Sequence, residues 1–248
     1  MLQKEMSEYW SQGSLNYDHI IQCELESFRP KKWQKLILGQ APKKDSLDVL
    51  DVGCGPGFFS IILSQAGHRV TGVDCSIGML EKARQNAEFL GVSPIFLQLD
   101  CTELPFPDSS FDLVVSRNVT WTLSDPLAVY REWQRVLNPG GVLLIFDANW
   151  NLHYYDESLM EEVQRREKLC IEKYGSTFDG DKPPTVRIDY DLLPLSSIKR
   201  PAWDVEQLTK LGFSEVYSVL DITESLWDDK EKLLYGATPM FMVKAIRA

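Results

Sequence analysis

The chain has 248 residues, of which 44% are hydrophobic and 25% charged, a composition that excludes a disordered or fibrous chain and supports one sizeable core. Lys and Arg total 26 against 36 Asp and Glu, a formal net charge of −10, which disfavours a surface that draws in a nucleic-acid backbone. There is no run of about 18 apolar residues and no apolar stretch behind a basic start, so neither a membrane span nor a secretory leader is expected, and the chain is expected in the cytoplasm.

Residues 1–44 read as a helical lead-in that carries Tyr9-Trp10 and Tyr17-Asp18. Short apolar, β-branched runs at 45–52, 69–74, 94–99, 111–116 and 141–147 read as buried strands. Between them, helical periodicity covers Phe58–Ala66 up to Gly67, Ile77–Leu90 behind Ser76 and before Gly91, and Leu127–Leu137 behind Asp125-Pro126. The pattern then changes. Residues 148–200 hold an aromatic cluster (Trp150, His153, Tyr154, Tyr155), a charged helix at Glu157–Lys173 and a Gly/Pro/Asp-rich stretch from Gly175 to Thr185, and read as an inserted cap. The regular pattern resumes with a helix at Trp203–Leu211, opened by Asp204 with Gln207 three residues on, and with strands at 214–222 and 240–247. Strands that alternate with helices need crossover connections, which predicts a Rossmann-like, doubly wound α/β fold: a mostly parallel seven-stranded sheet with helices on both faces. The division is then 1–44 as lead-in, 45–147 with 201–248 as the binding domain, and 148–200 as cap.

Five widely spaced cysteines without a C-x-x-C pattern argue against a disulfide framework or a zinc knuckle, and no metal is expected. Cys54, Cys75 and Cys101 fall at the ends of neighbouring strands, where Cys serves as a small buried apolar residue.

The most informative segment is Asp51-Val52-Gly53-Cys54-Gly55-Pro56-Gly57-Phe58, a strand that runs into a three-glycine turn and then a helix. Such a turn brings a ligand close to the backbone, and the helix start offers unpaired N–H groups. A dinucleotide site asks for G-x-G-x-x-G, yet position 58, where its third glycine belongs, is Phe. The spacing of Gly53, Gly55 and Gly57 instead resembles motif I of the class I, Rossmann-like S-adenosylmethionine-dependent methyltransferases, small-molecule type, strongly over residues 45–147 and moderately over 201–248.

That resemblance implies S-adenosylmethionine as cofactor, S-adenosylhomocysteine as product, and a site residue by residue. Asp74 would hold both ribose hydroxyls, Asp100 the adenine amino group, and Cys101 a ring nitrogen through its backbone, with Cys75 and Met79 as an apolar slot. Gly53, Cys54 and Gly55 would lie against the methionine part, with Gly57 also in the cofactor-binding turn, Asp51 towards the ammonium, Asn118 near the transferring methyl, and Tyr17 on the closing lead-in helix. His153 or Tyr154 would be the proton acceptor if the acceptor atom needs one. The residues after the fourth strand, Arg117-Asn118-Val119-Thr120-Trp121, depart from the Asn/Asp-Pro-Pro-aromatic motif of nucleic-acid and protein amino-methylating relatives. The implied reaction is methyl transfer to a small-molecule acceptor, by a monomer or homodimer that uses neither nucleic acid nor membrane. A non-catalytic adenosylmethionine-binding protein stays open as an alternative. A nicotinamide-dependent oxidoreductase is contradicted by Phe58.

Overall fold

Successive residues of a strand point to opposite faces of a sheet, and the apolar residues of the central strands divide accordingly between two cores. A computed structural model describes residues 2–177 and 188–248. Its strands are β1 (Asp48–Val52), β2 (Arg69–Asp74), β3 (Ile95–Gln98), β4 (Phe111–Arg117), β5 (Leu137–Asp147), β6 (Phe213–Val219) and β7 (Phe241–Arg247). They form one sheet in the order β3-β2-β1-β4-β5-β7-β6, with β1 to β5 parallel and β7 antiparallel to both β5 and β6. Val49, Val115, Leu144 and Met242 join one core with Trp33, Ile37 and Phe59. Leu50, Val114, Leu143 and Val243 join the other with Tyr130, Trp133 and Leu208.

On the first face lie α1 (Leu2–Leu25), α2 (Arg29–Gln40) and α3 (Phe58–Gln65), with α4 (Ile77–Phe89) packed beside α3; on the second lie α5 (Pro126–Val136) and α7 (Ala202–Lys210). Two helix starts follow the expected chemistry: Ser76 accepts from the Met79 N–H and Asp125 from the Ala128 N–H. The doubly wound sheet with helices on both faces is therefore the architecture that the strand and helix alternation predicts. α6 (Glu157–Tyr174) packs against α8 (Asp229–Tyr235). Among the described residues no helix is long and apolar enough to cross a membrane.

Four differences from the sequence reading have local causes. β5 begins at Leu137 rather than Gly141, because Leu137 pairs with Phe111 before an irregularity resets the register at Leu113 and Val142. α7 begins behind Pro201, and Asp204 is not its cap: it sits in the first turn, fully buried, with its carboxylate on Arg200. A buried arginine without a counter-charge costs more than a helix end left to other partners. α8 escaped the periodicity, being only 7 residues long, although its capping box of Asp228 and Glu231 is legible. The Gly/Pro-rich stretch assigned to the cap lies largely outside the described residues, at 178–187.

Strand order reverses between β1 and β4, so the crossovers leave to opposite sides there. In open α/β sheets that reversal opens a crevice beyond the carboxyl ends of the strands.

Candidate functional site

The turn after β1 holds Gly53, Gly55 and Gly57 at φ of 66°, 51° and 92°, the left-handed region in which a Cβ is strained. Two of the three are also required by packing within the protein. A Cβ on Gly53 would overlap the Val119 side chain after β4, and one on Gly57 would lie 3.2 Å from the Ala83 Cβ on α4 and 3.3 Å from the Phe96 ring. Gly55 has only Tyr17 beside it, at 3.6 Å, and borders the cleft.

Asp74 ends β2 beside that turn. Its Oδ2 accepts from the Gly55 N–H at 2.9 Å and its Oδ1 from the Ser76 N–H at 2.8 Å. Burial pushes its pKa up, against the backbone N–H groups of Ser76 and Gly55 that stabilise the charge. A carboxylate offers about four lone-pair positions. With the Cys75 N–H also directed at it, Asp74 keeps acceptor capacity for a further donor.

The cleft in front of it encloses about 950 Å³ outside the atoms, open solvent included, and is lined by Gly53, Gly55, Asp74, Cys75, Met79, Asp100, Cys101, Asn118 and Tyr17. Nine of the twelve residues expected at a cofactor are thus brought together. Met6 and Trp10 of α1 also line it. Burial pushes the thiols of Cys75 and Cys101 up to about 12, so both are neutral and serve as apolar walls. Asp100 caps its own loop, accepting from the Thr102 N–H at 2.9 Å.

The other three lie behind the cleft. Asp51 is 2% exposed and accepts from the Ser60 hydroxyl at 2.7 Å. Burial raises its pKa to about 6, with the Ser60 hydroxyl and backbone N–H opposing. Ser60 is the third residue of α3, so Asp51 acts from β1 as a cap for that helix. The Cys54 side chain packs among Ile61, Leu80, Ala83 and Phe96, and its N–H is spent on the Val73 carbonyl at 3.0 Å. Gly57 faces α4, away from the cleft.

A second cavity adjoins the first, and Trp10, Tyr17, Arg117 and Asn118 line both. It encloses about 1240 Å³ outside the atoms, open solvent included, and five tryptophans form much of its wall: Trp10, Trp33, Trp121, Trp150 and Trp227. Arg117 pairs with Glu24 at 2.8 Å and lies over the Phe58, Phe59 and Trp33 rings at 4.6, 5.2 and 5.6 Å. Burial opposes its charge, and Glu24, Tyr17 and Asp51 together outweigh burial and hold its pKa up. Asn118 adopts φ 59°, donates to the Tyr17 oxygen, and has a buried Oδ1 without a hydrogen-bond partner.

His153 and Tyr154 are not brought to either cavity. Tyr154 is 56% exposed and stacks on Tyr190 at 5.4 Å and 15°, while Tyr155 donates to Asp191 at 2.6 Å. The pair ties residues 152–155 to 190–192. The aromatic cluster after β5 reaches the cavity through Trp150 and Asn151 instead. Sequence reasoning missed Glu24, Arg29, Arg117 and Glu231 as site residues, and only the Arg117-Asn118 position at a strand end marked any of them.

One buried network fixes part of the wall of the second cavity. Asp147, at the end of β5, accepts through Oδ1 from Trp150 Nε1 at 3.0 Å and through Oδ2 from the Trp121 N–H at 3.1 Å, from Arg200 Nη1 at 3.0 Å and from the Thr120 hydroxyl. Arg200 also donates from Nη2 to Asp204 Oδ1 at 2.7 Å, and that oxygen accepts from the Tyr130 hydroxyl at 2.5 Å. Arg200 thereby joins α7 to two tryptophans of the cavity wall.

Residues 50–145 match the family model described as a methyltransferase domain. Phosphoethanolamine N-methyltransferase 1 of Arabidopsis thaliana is 33% identical over 141 residues, 56% of this chain and 29% of that protein. The malonyl-[acyl-carrier protein] O-methyltransferase of Erwinia pyrifoliae is 43% identical over 109 residues, 44% of this chain and 40% of that protein. The chain thus spans less than half the length of both curated relatives. The structure of a SAM-dependent methyltransferase from Aquifex aeolicus superposes with a TM-score of 0.58 at 22% identity, over 93% of this chain and 98% of that one. Residues 50–145 therefore resemble a methyltransferase domain, and the chain as a whole has the Rossmann-like fold of that structure.

Proposed function

We propose that the chain binds S-adenosylmethionine in the first cleft and transfers its methyl group to a small molecule held in the second cavity. The observation that carries this reading is the joining of the two cavities at Trp10, Tyr17, Arg117 and Asn118. The residues present fit the cofactor: Asp74 has acceptor capacity left for a ribose hydroxyl, and Asn118 Oδ1 is a buried acceptor in need of a donor.

When bound, the sulfonium supplies an activated methyl group. The chain's part is to bind, align and exclude water. Asp74 and Asp100 hold the adenosine end, Cys75 and Met79 flank the ring, and Gly53, Gly55 and Asn118 border the methionine end. Tyr17 and Trp10 on α1 cover the junction. Alignment of two reactants supplies about 7–11 kcal/mol, against a factor of ~10²–10⁴ from a general base. Positioning therefore suffices for an acceptor atom that carries a free lone pair.

In this reading residues 1–44 close the cleft, 45–147 with 201–248 carry the cofactor, and 148–200 contribute the acceptor side through Trp150 and Asn151. Asp51, Cys54 and Gly57 shape the turn from behind, and His153 and Tyr154 support the cap without taking a proton. The protein works in the cytoplasm as a monomer or homodimer, with no nucleic acid. Incubation with methyl-labelled S-adenosylmethionine and a deproteinised cell extract tests the reading. Mass spectrometry is expected to show S-adenosylhomocysteine and a labelled small molecule. Label in protein or nucleic acid alone, or no S-adenosylhomocysteine, contradicts it.

A further inference from the structure

The second cavity has a wall chemistry that selects among acceptors. Its rings meet edge to face: Tyr9 and Trp10 at 86°, Trp10 and Trp121 at 69°, Trp150 and Tyr235 at 88°. Perpendicular rings make the walls of a box. A planar aromatic guest is better served by two parallel rings, and the one pair close to parallel among the described residues, Tyr154 with Tyr190 at 15°, lies outside the cavity. Aromatic faces attract cations.

The cavity's own cations are already matched. Arg117 is paired with Glu24, and Arg29 with both Glu231 and Asp228. The guanidiniums are covered by these carboxylates and by rings, Arg117 against Phe58 and Arg29 against Phe28 at 5.3 Å. Among what the walls offer a guest are π faces, carboxylate lone pairs, and the unpartnered Oδ1 of Asn118 at the junction. All three suit an N–H donor or a cation.

From this wall chemistry we propose that the second cavity takes an aliphatic amine and that the methyl group is transferred to its nitrogen. The inference rests on the methyl-transfer reading above. In the step, the nitrogen lone pair forms the new N–C bond as the C–S bond breaks, and the electron pair of that bond stays on sulfur as a neutral thioether. Positive charge passes from sulfur to nitrogen, into the box whose faces and carboxylates stabilise it, so the walls favour the transition state over the ground state. Any N–H proton of the resulting ammonium leaves to water afterwards. An oxygen acceptor would end neutral and gain nothing from such walls.

The probes are choline and its neutral analogue 3,3-dimethylbutan-1-ol, titrated calorimetrically onto the protein saturated with S-adenosylhomocysteine. Choline is expected to bind about two- to thirtyfold more tightly than the neutral alcohol. Trp150 and Tyr235 line the second cavity and not the first. Trp150→Leu and Tyr235→Leu should each shrink that preference, and Tyr235→Phe should retain it, with S-adenosylhomocysteine affinity unchanged in all three. Equal binding of the two probes, or binding of neither, to protein that still binds S-adenosylhomocysteine overturns the amine assignment and leaves the methyl-transfer reading standing. Failure to bind S-adenosylhomocysteine at all overturns both.

Discussion

Replacing Asp74 with Ala is expected to weaken S-adenosylmethionine binding on the order of ten- to a thousandfold. Hydrogen bonds to a charged group contribute about 1.5–3 kcal/mol each, and each 1.4 kcal/mol is a factor of about ten. Losing a ribose hydroxyl bond accounts for the lower part of that range. The substitution also strips the Gly55 and Ser76 N–H groups of their acceptor, so part of the effect reflects a looser turn. Asp74→Asn separates the contributions, because it keeps one carbonyl acceptor and removes the charge. Its affinity should fall between wild type and Ala. An unchanged dissociation constant for Asp74→Ala, with the fold intact by thermal unfolding, would reduce Asp74 to a residue that shapes the turn.

The second large effect is on stability. Arg200 is 3% exposed and lies between Asp147 and Asp204, both fully buried. Burial opposes its charge, and Asp204, Tyr130 and Asp147 together hold its pKa above the usual arginine value. Arg200→Met leaves two buried carboxylates without their shared cation, and breaking a buried pair in this way costs about 3–5 kcal/mol. For a chain of this length each kcal/mol moves Tm by roughly 2–4 °C, so the midpoint should fall by roughly 6–20 °C. Pairing it with Asp204→Leu should recover part of the loss, because the second substitution removes one of the stranded charges. A single variant within about 2 °C of wild type would show that the network does not hold the cavity wall.

How much was legible follows from which forces were local. The glycine turn, the strand ends and the caps at Ser76 and Asp125 are written in neighbouring residues, so the fold and most of the first cleft's lining could be read directly. Asp51 and Cys54 lie behind the turn, outside the lining of the cleft. A strand alternates its side chains, and the fate of Asp51 depends on Ser60, nine residues on, which takes its carboxylate. The second cavity was hardly legible. It is assembled from α1, α2, the loop after β4, Trp150 and the 226–240 region, which meet only in three dimensions. The cluster at His153 to Tyr155 drew attention by density, yet its rings pair with Tyr190 and Asp191, while Trp150 is drawn to the cavity wall by Asp147.

The most direct test of the central claim is calorimetric titration of the wild-type protein with S-adenosylhomocysteine and, separately, with NAD. The turn with Phe58 in place of a third fingerprint glycine, together with Asp74 beside Gly55 at 2.9 Å, predicts saturable heat of one-to-one stoichiometry from S-adenosylhomocysteine and none from NAD. Saturable NAD binding with no heat from S-adenosylhomocysteine would contradict the account.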